Sequence, residues 1–521
     1  MTDETSMLNS KSIKTRFLLS VASNTARAGI NFLSGLLVAR ALSPAGYGDL
    51  TFLLVSFSAI RTLLDMGSSN AFYTFISAER KGPRFYVFYG GWLAIQFTIV
   101  AALVAVIMPQ ELIAKVWLDH DRTTILLAFG ATFMQQQVWQ MITQIGEAAR
   151  KTVRTQTINM AVGIVHFALI AFFFIAGRLS VELIFFIIII EYLLAAAWAS
   201  RFLRHTEADD KTIPADLSFP EMMKEYGRYC RPLILLSWIG FAYNFADGWL
   251  LQRFGGAGQQ GFYQIASQFA GVSLIATTSI LNILWKEVAE AHGRGDTART
   301  AELYRKVNHG LLMFGAVLSG LLIPWTHEIV KISLGEAYLM AAPVMMVMFL
   351  YPIHQSMGQV GGTMLLASGR TSAYMIISGC FMLISLPVSY IIQAPPEAVP
   401  FPGFGLGAEG MALKTVVLNV VSVNVQAWIV ARYCGIKYDW FYQIVAVSGV
   451  VAIGYASRLF SGIFFDLAGI TGVADMIAPF LFSIVAYIAG VFILIWAMPW
   501  LAGIERSDIT NAIKKISPFH I

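Results

Sequence analysis

Long apolar runs follow one another down the chain, separated by short clusters of charged, proline and glycine residues. They fall at 17–40, 47–67, 85–108, 123–146, 156–177, 180–200, 231–252, 261–284, 308–326, 338–362, 371–393, 406–431, 440–460 and 475–502. Each is about the twenty residues that a helix needs to cross the hydrocarbon core. A bilayer offers the backbone no water, so every N–H must be satisfied within its own segment. Runs this long and evenly apolar are therefore expected to be helices, not barrel strands. The pattern predicts an all-α integral membrane protein with about fourteen transmembrane helices.

Composition agrees, because 57% hydrophobic residues against 13% charged ones cannot be packed as a soluble domain of this length. Lys11, Lys14 and Arg16 before Phe17 imitate a secretory signal, but Arg27 interrupts the run, which continues through Val38 as an uncleaved first span. Cys230, Cys380 and Cys434 are far apart and lack metal-ligand spacing. Basic residues fix the orientation. With the N-terminus inside, the tails and alternate connections hold clusters such as Arg80, Lys81 and Arg84, or Lys286, Arg294, Arg299, Arg305 and Lys306. The opposite face holds Arg40, Lys115, Arg122, Arg178, Arg253 and Lys331. Both ends are thus predicted cytoplasmic, and the net charge of +5 is mostly topology, with no call for nucleic acid.

A repeat emerges when the first and seventh spans are aligned. Arg40 precedes Gly48, and Arg253 precedes Gly261, by the same spacing at a short outer turn, in VARALSPAGYGDL and LLQRFGGAGQQGFY. Coincidence between two Gly-rich turns is the competing reading. The predicted organisation is a tail at 1–16, a first lobe at 17–200, a cytoplasmic linker at 201–230 with Pro214 and Pro220, and a second lobe at 231–433. Duplicated halves of this kind place a transporter's pathway at their interface.

The stretches ARALSPAGYGDLTFLL, DGWLLQRFGGAGQQGFYQIA and WKEVAEAHGRGDTARTAELYRKV resemble the Wzx-type polysaccharide or oligosaccharidyl-lipid flippases of the multidrug/oligosaccharidyl-lipid/polysaccharide (MOP) exporter superfamily. The chain departs from many members at Leu284 and Trp285, where they carry proline. The resemblance implies a bacterial inner-membrane flippase of two six-helix, MATE-like lobes. It would carry an undecaprenyl-diphosphate-linked oligosaccharide outward for O-antigen, capsule or exopolysaccharide assembly. The last two spans, 440–502, would be additions outside the lobes, before a cytoplasmic tail at 503–521. Partners implied are the lipid-linked glycan, membrane lipids, a polymerase and a chain-length regulator, with H+ or Na+ as coupling ion. No cofactor is called for.

The intramembrane polar residues carry the candidate chemistry. A cation at the centre of a span costs about 2.5–3.5 kcal/mol on insertion scales, so it normally meets a wet cavity or a partner. Arg27 and Lys414 each lie roughly ten residues into a span, from opposite ends, near mid-depth at about 1.5 Å per residue. They could share one cavity and hold a diphosphate, for which Arg supplies a planar fork of donors. Asn24, Arg27, Asn31 and Ser34 fall on one helical face, expected to line the lumen. Arg61, a further diphosphate candidate, sits four residues before Asp65, with which it could instead pair. Asp247, which matches an acidic position of the resembled family, and Glu191 are candidates for ion coupling, Glu191 equally for an interhelical salt bridge. His166 and His354 read more readily as packing residues than as proton carriers.

Three glutamine stripes, Gln136, Gln140 and Gln144 beside Trp139, then Gln264 and Gln268, then Gln355 and Gln359, suit a glycan-lined cavity. Interhelical hydrogen bonding explains them equally well. A multidrug cation exporter would favour an acidic or aromatic lumen, whereas the central charges here are basic. A lipid-linked peptidoglycan-precursor flippase would present a similar basic cavity. A glycan polymerase or ligase would need a sizeable outer catalytic loop, and the outer loops are short; no nucleotide-binding loop, Ser/His/Asp arrangement or metal cluster is readable, so no enzyme is predicted.

Overall fold

The computed structural model describes the backbone of residues 2–79, 81–204, 218–275, 277–468, 474–507 and 510. Side chains are described from Ser23 onward, except at 80, 202–217, 276, 278, 279, 282, 467–477, 508, 509 and 511–521. The side chains of the predicted N-terminal tail, the centre of the predicted linker and most of the C-terminal tail lie outside the described residues. Every regular element among the described residues is helical. Among the described residues, ten helices are long and apolar enough to cross a membrane, or up to eleven if one bent pair counts as a span. Two of the ten, Ser23–Asp65 and Phe219–Ile275, each cover two of the predicted spans or parts of them.

The chain divides into two compact units, 1–261 with 389–405, and 262–388 with 406–521. The first contains α1 (Thr2–Asp65), α2 (Ser68–Ala78), α3 (Pro83–Ala102), α4 (Gln110–Val116), α5 (Arg122–Phe133), α6 (Trp139–Ala148), α7 (Thr152–Ile175), α8 (Val181–Arg204), α9 (Phe219–Cys230) and most of α10 (Ile234–Ile275). Local chemistry sets several starts. Pro83 opens α3 at a position whose N–H is not needed. Asp121 caps α5 by accepting from the Thr124 N–H at 2.9 Å. Ser218 and Glu221 close a capping box on α9.

α1 is two helical arms that meet at Ser43, whose φ of 63° and ψ of 170° break the ladder just before Pro44. α10 breaks in the same way at Gly256, φ 83° and ψ 170°. One chain offset relates Arg40 to Arg253, Ser43 to Gly256, Pro44 to Ala257 and Gly48 to Gly261. The repeat is therefore present in the backbone as well as in the text. Its two copies touch reciprocally. A Cβ on Gly48 would meet the Ala257 carbonyl oxygen at 1.8 Å, and one on Gly261 would meet the Pro44 oxygen at 2.0 Å.

The second unit holds α11 (Thr277–Gly293), α12 (Thr297–Leu322), α13 (Thr326–Ser333), α14 (Ala342–Met348), α15 (Tyr351–Ala367), α16 (Thr371–Gln393, to Val388), α17 (Gly407–Cys434), α18 (Phe441–Ala468) and α19 (Ala474–Ala497). α11 passes through Leu284 and Trp285 without interruption. The last two spans share this unit's core: Tyr442 and Val450 of α18, Tyr487 and Val491 of α19, and Leu501 pack with Leu312, Ile353 and Met357. Gly454 lies so close to α12 that a Cβ there would be 2.0 Å from the Gly320 oxygen. Arg458 fastens the outer part of α18 by donating to Glu328 at 2.6 Å and to the Pro324 carbonyl, over the Trp325 ring.

Candidate functional site

In the first unit the polar positions form three groups. Arg27 is half-buried on α1, with its Cγ 3.7 Å from where Gly163 of α7 would carry a Cβ. Glu147 on α6 and Tyr192 on α8 lie within its electrostatic reach. Among the described residues no carboxylate forms an ion pair with Arg27. Its expected stripe is uneven: Asn24 and Asn31 are exposed, whereas Ser34 is buried and donates to the Ile30 carbonyl at 3.0 Å.

The second group centres on Arg61. α5 and α6 are joined by a π-turn at Met134–Val138, which widens the hydrogen-bonded ring and releases main-chain carbonyls. The Gln136 carbonyl accepts from Arg61 Nη1 at 3.0 Å, and Gln140 Oε1 accepts from the same nitrogen at 2.7 Å. Ser58 donates to Gln136 Oε1 at 3.1 Å. The alternative considered for Arg61, a pair with Asp65, does not form. Asp65 instead accepts from the Ser69 N–H and from the Ser68 and Ser69 hydroxyls where α2 begins. Donors one turn away satisfy the carboxylate, while two oxygens of another helix take Arg61 Nη1 and leave its buried Nε unmatched among the described residues. Gln144 is buried with its Oε1 unmatched. Trp139 donates to Asn159 at 2.8 Å.

Third, Glu191 of α8 is 7% exposed and lies 3.0 Å from Nδ1 of His166 on α7. Two residues weighed separately in the sequence are thus one pair. Asp247 accepts from Ser389 at 2.5 Å, tying the 389–405 segment to α10 within this unit.

At the end of the unit that the basic residues assign to the outer face, Asp49 accepts from Gln252 at 2.8 Å and lies 3.3 Å from His120 Nε2. His120 Nδ1 lies 2.5 Å from the Trp117 carbonyl. Both ring nitrogens therefore face acceptors, which suits the imidazolium. Burial opposes that charge, but the Asp49 and Trp117 hydrogen bonds, with the Asp49 and Asp121 charges, outweigh it and hold the pKa above the ordinary histidine value.

In the second unit Lys414 is 3% exposed on α17. Its neighbour Thr415 shares a 3.0 Å hydrogen bond with Tyr263. Gln359 accepts from Thr277 at 2.7 Å, an interhelical role, while Gln264, Gln268 and Gln355 are half-buried. His354 joins a packed network through Gln443, Asn424 and Tyr438, in keeping with a structural histidine.

Asp49, His120 and Glu147 went unrecognised in the sequence. Glu147 had a signal, since it extends the Gln140 and Gln144 stripe by one helical turn. Asp49 and His120 had none, because their pairing depends on packing between distant elements.

This arrangement, apolar helices with cations and amides between them, is that of a multi-span membrane protein. The family described as "Polysaccharide biosynthesis protein" matches residues 14–285, and the MatE family matches 232–391. The chain belongs to the polysaccharide biosynthesis protein family. Comparison with curated protein sequences gives no match. Among solved structures, the chain is similar to the lipid II flippase MurJ in an inward closed conformation, at 14% identity and a TM-score of 0.65, over 92% of this chain and 99% of that one. It is similar to an inward-facing multidrug resistance MATE family transporter at 13% identity and 0.58, over 80% and 98%. A MOP superfamily transporter from Pyrococcus furiosus aligns at 13% and 0.51, over 81% and 96%. At these identities the likeness is one of fold.

Proposed function

We propose that the chain translocates an undecaprenyl-diphosphate-linked oligosaccharide across the bacterial inner membrane, by alternating access, for surface polysaccharide assembly. Arg27 carries this reading: a cation well inside a membrane helix, held by packing and distant charge, with no ion-paired carboxylate among the described residues. Such a group is best stabilised by an anion that visits. Arg27 and Lys414 each bind the diphosphate in the course of translocation, and the glycan travels in water while the lipid tail stays in the bilayer. Arg61, held by Gln136 and Gln140, positions those amides for sugar hydroxyls. The Glu191–His166 pair, or Asp247, takes the coupling H+ or Na+. A polymerase and a chain-length regulator act on the exported unit.

The test is to delete the gene and identify which lipid-linked glycan accumulates in the inner leaflet. Complementation with Arg27→Ala or Lys414→Ala is expected to restore protein but not export. Full export by both variants would remove these residues from the mechanism. Accumulation of a peptidoglycan precursor instead would assign the chain to that substrate.

A further inference from the structure

α9 sorts its side chains onto separate faces. Met222 and Tyr226, one turn apart, are buried. They pack into an aromatic cluster on α2 and α3, where the Tyr226 ring lies 5.4 Å from Phe75 and 5.2 Å from Phe88. That cluster and the capping box at Ser218 hold the helix in place against the first unit. Phe219 and Met223, also one turn apart, lie beside this packed face and are 51% and 66% exposed.

What covers the exposed strip follows from what it adjoins. The Phe219 ring is 6.1 Å from Phe88 of α3, and α3 lies within a candidate membrane span on which Val87, Trp92, Ile95 and Ile99 are exposed. The strip on α9 therefore continues the apolar surface of a span, at the end that Lys81 and Arg84 assign to the cytoplasm. A helix placed there lies in the interface, with its apolar side on the acyl chains.

The charged faces fit the same placement. Lys224, Arg228 and Arg231 follow one another at i, i+4 and i+7 and are exposed. At about 100° per residue they occupy the flank opposite Met222 and Tyr226, from which their long stems reach the level of lipid phosphates. Glu221 and Glu225 each come two residues after an exposed apolar one, about 200° round the helix, and so point away from the bilayer. Glu221 is also engaged, accepting from the Ser218 N–H at 2.9 Å. A leaflet presents phosphates all along its surface, so the three cations need not converge on one anion.

We infer that α9 lies in the headgroup layer of the cytoplasmic leaflet and binds anionic phospholipid, with Phe219 and Met223 among the upper acyl chains and Lys224, Arg228 and Arg231 on the headgroups. This does not depend on the roles of Arg27 and Lys414. α9 runs into α10 through a single turn at Arg231–Leu233, so the leaflet also fixes where that helix enters.

The experiment uses the full chain, one copy per nanodisc of phosphatidylcholine and phosphatidylglycerol in equal parts. Spin labels are attached at Met223→Cys and at Glu225→Cys, in a background of Cys230→Ala, Cys380→Ala and Cys434→Ala. The label at 223 is expected to collide more with oxygen than with a water-soluble nickel chelate, and the label at 225 the reverse. Equal access of nickel to both would put the helix in water, and shielding of 223 from both reagents would mean a protein cover; either result overturns the inference. With the native cysteines in place, native mass spectrometry reads the ratio of the two lipids retained. Lys224→Gln/Arg228→Gln/Arg231→Gln alters exposed residues only and should fold. One cation near a charged leaflet is worth about a fivefold preference, so this variant should lose roughly tenfold or more of its selectivity for phosphatidylglycerol. Equal retention of both lipids by the unaltered chain, or unchanged selectivity in the variant, would also overturn it.

Discussion

Placing one methyl group at Gly48 is the most direct probe of the reciprocal contact between the repeat copies. In Gly48→Ala the new Cβ would stand 1.8 Å from the Ala257 carbonyl oxygen and 2.7 Å from its carbon. Real Cβ atoms do not approach within 3.0 Å, so the two backbones must part by at least 1.2 Å, the difference between 3.0 and 1.8. The obstruction is main chain, and no rotamer change relieves it. Overpacking of this kind costs about 1–3 kcal/mol. At roughly 2 °C per kcal/mol for a unit of this size, the melting temperature should fall by about 2–6 °C. Gly261→Ala meets the Pro44 oxygen at 2.0 Å and should behave alike. Both changes push apart the same two backbones, so the double variant should lose less than the sum of the singles. Gly90→Ala is the control, because nothing lies within 4 Å of its Cβ position and Ala is the better helix former. Melting of the detergent-purified protein, followed by intrinsic fluorescence, reads all four. Unchanged melting in Gly48→Ala and Gly261→Ala, or a loss equal to that of Gly90→Ala, would refute the reasoning.

Three further outcomes are expected. The His120–Asp49 contact raises the histidine pKa, so its stabilisation is full below the ordinary histidine pKa and is lost as pH rises through the raised value. NMR titration of labelled histidine should show one resonance titrating above the free value, and Asp49→Asn should lower it; a resonance insensitive to that change would count against the pairing. Arg61→Ala should leave the Gln136 carbonyl without its donor and lower stability by about 1–3 kcal/mol, and a melting curve identical to wild type would refute that role for the π-turn. Arg458→Ala removes the partner of Glu328 and should cost on the order of 1 kcal/mol, with Arg458→Lys recovering only part because it lacks the forked donors; full recovery would show that charge alone holds α18 in place.

Much of the architecture was legible because lipid makes it so. Apolar runs, basic clusters and the Arg40–Gly48 and Arg253–Gly261 spacing marked where helices run, turn and repeat, and the breaks at Ser43 and Gly256 fall inside those outer turns. Other features had no local trace. The π-turn depends on Arg61 taking a carbonyl from a helix far along the chain, so no hydropathy window contains it. The sequence set the last two spans apart from the lobes; in the structure Tyr442, Tyr487 and Leu501 are part of the second unit's core, through contacts with α12 and α15. The division at Gly261 lies within α10, just past its break at Gly256, where no linker composition marks it. Among site residues, the Arg61–Asp65 spacing was real but misleading, since helical neighbours bind each other only when no better partner competes.

The wide turn at Met134–Val138 amounts to a one-residue insertion in an otherwise regular helix. Such an insertion is absorbed within the wide turn, so deleting one residue there would close it into regular helix with Gln144 and Glu147 still on their present faces, and would withdraw from Arg61 the Gln136 carbonyl that the turn releases. The length of the chain at that point thus decides whether a neighbouring guanidinium finds its main-chain acceptor, and removal of one residue should act like loss of that hydrogen bond.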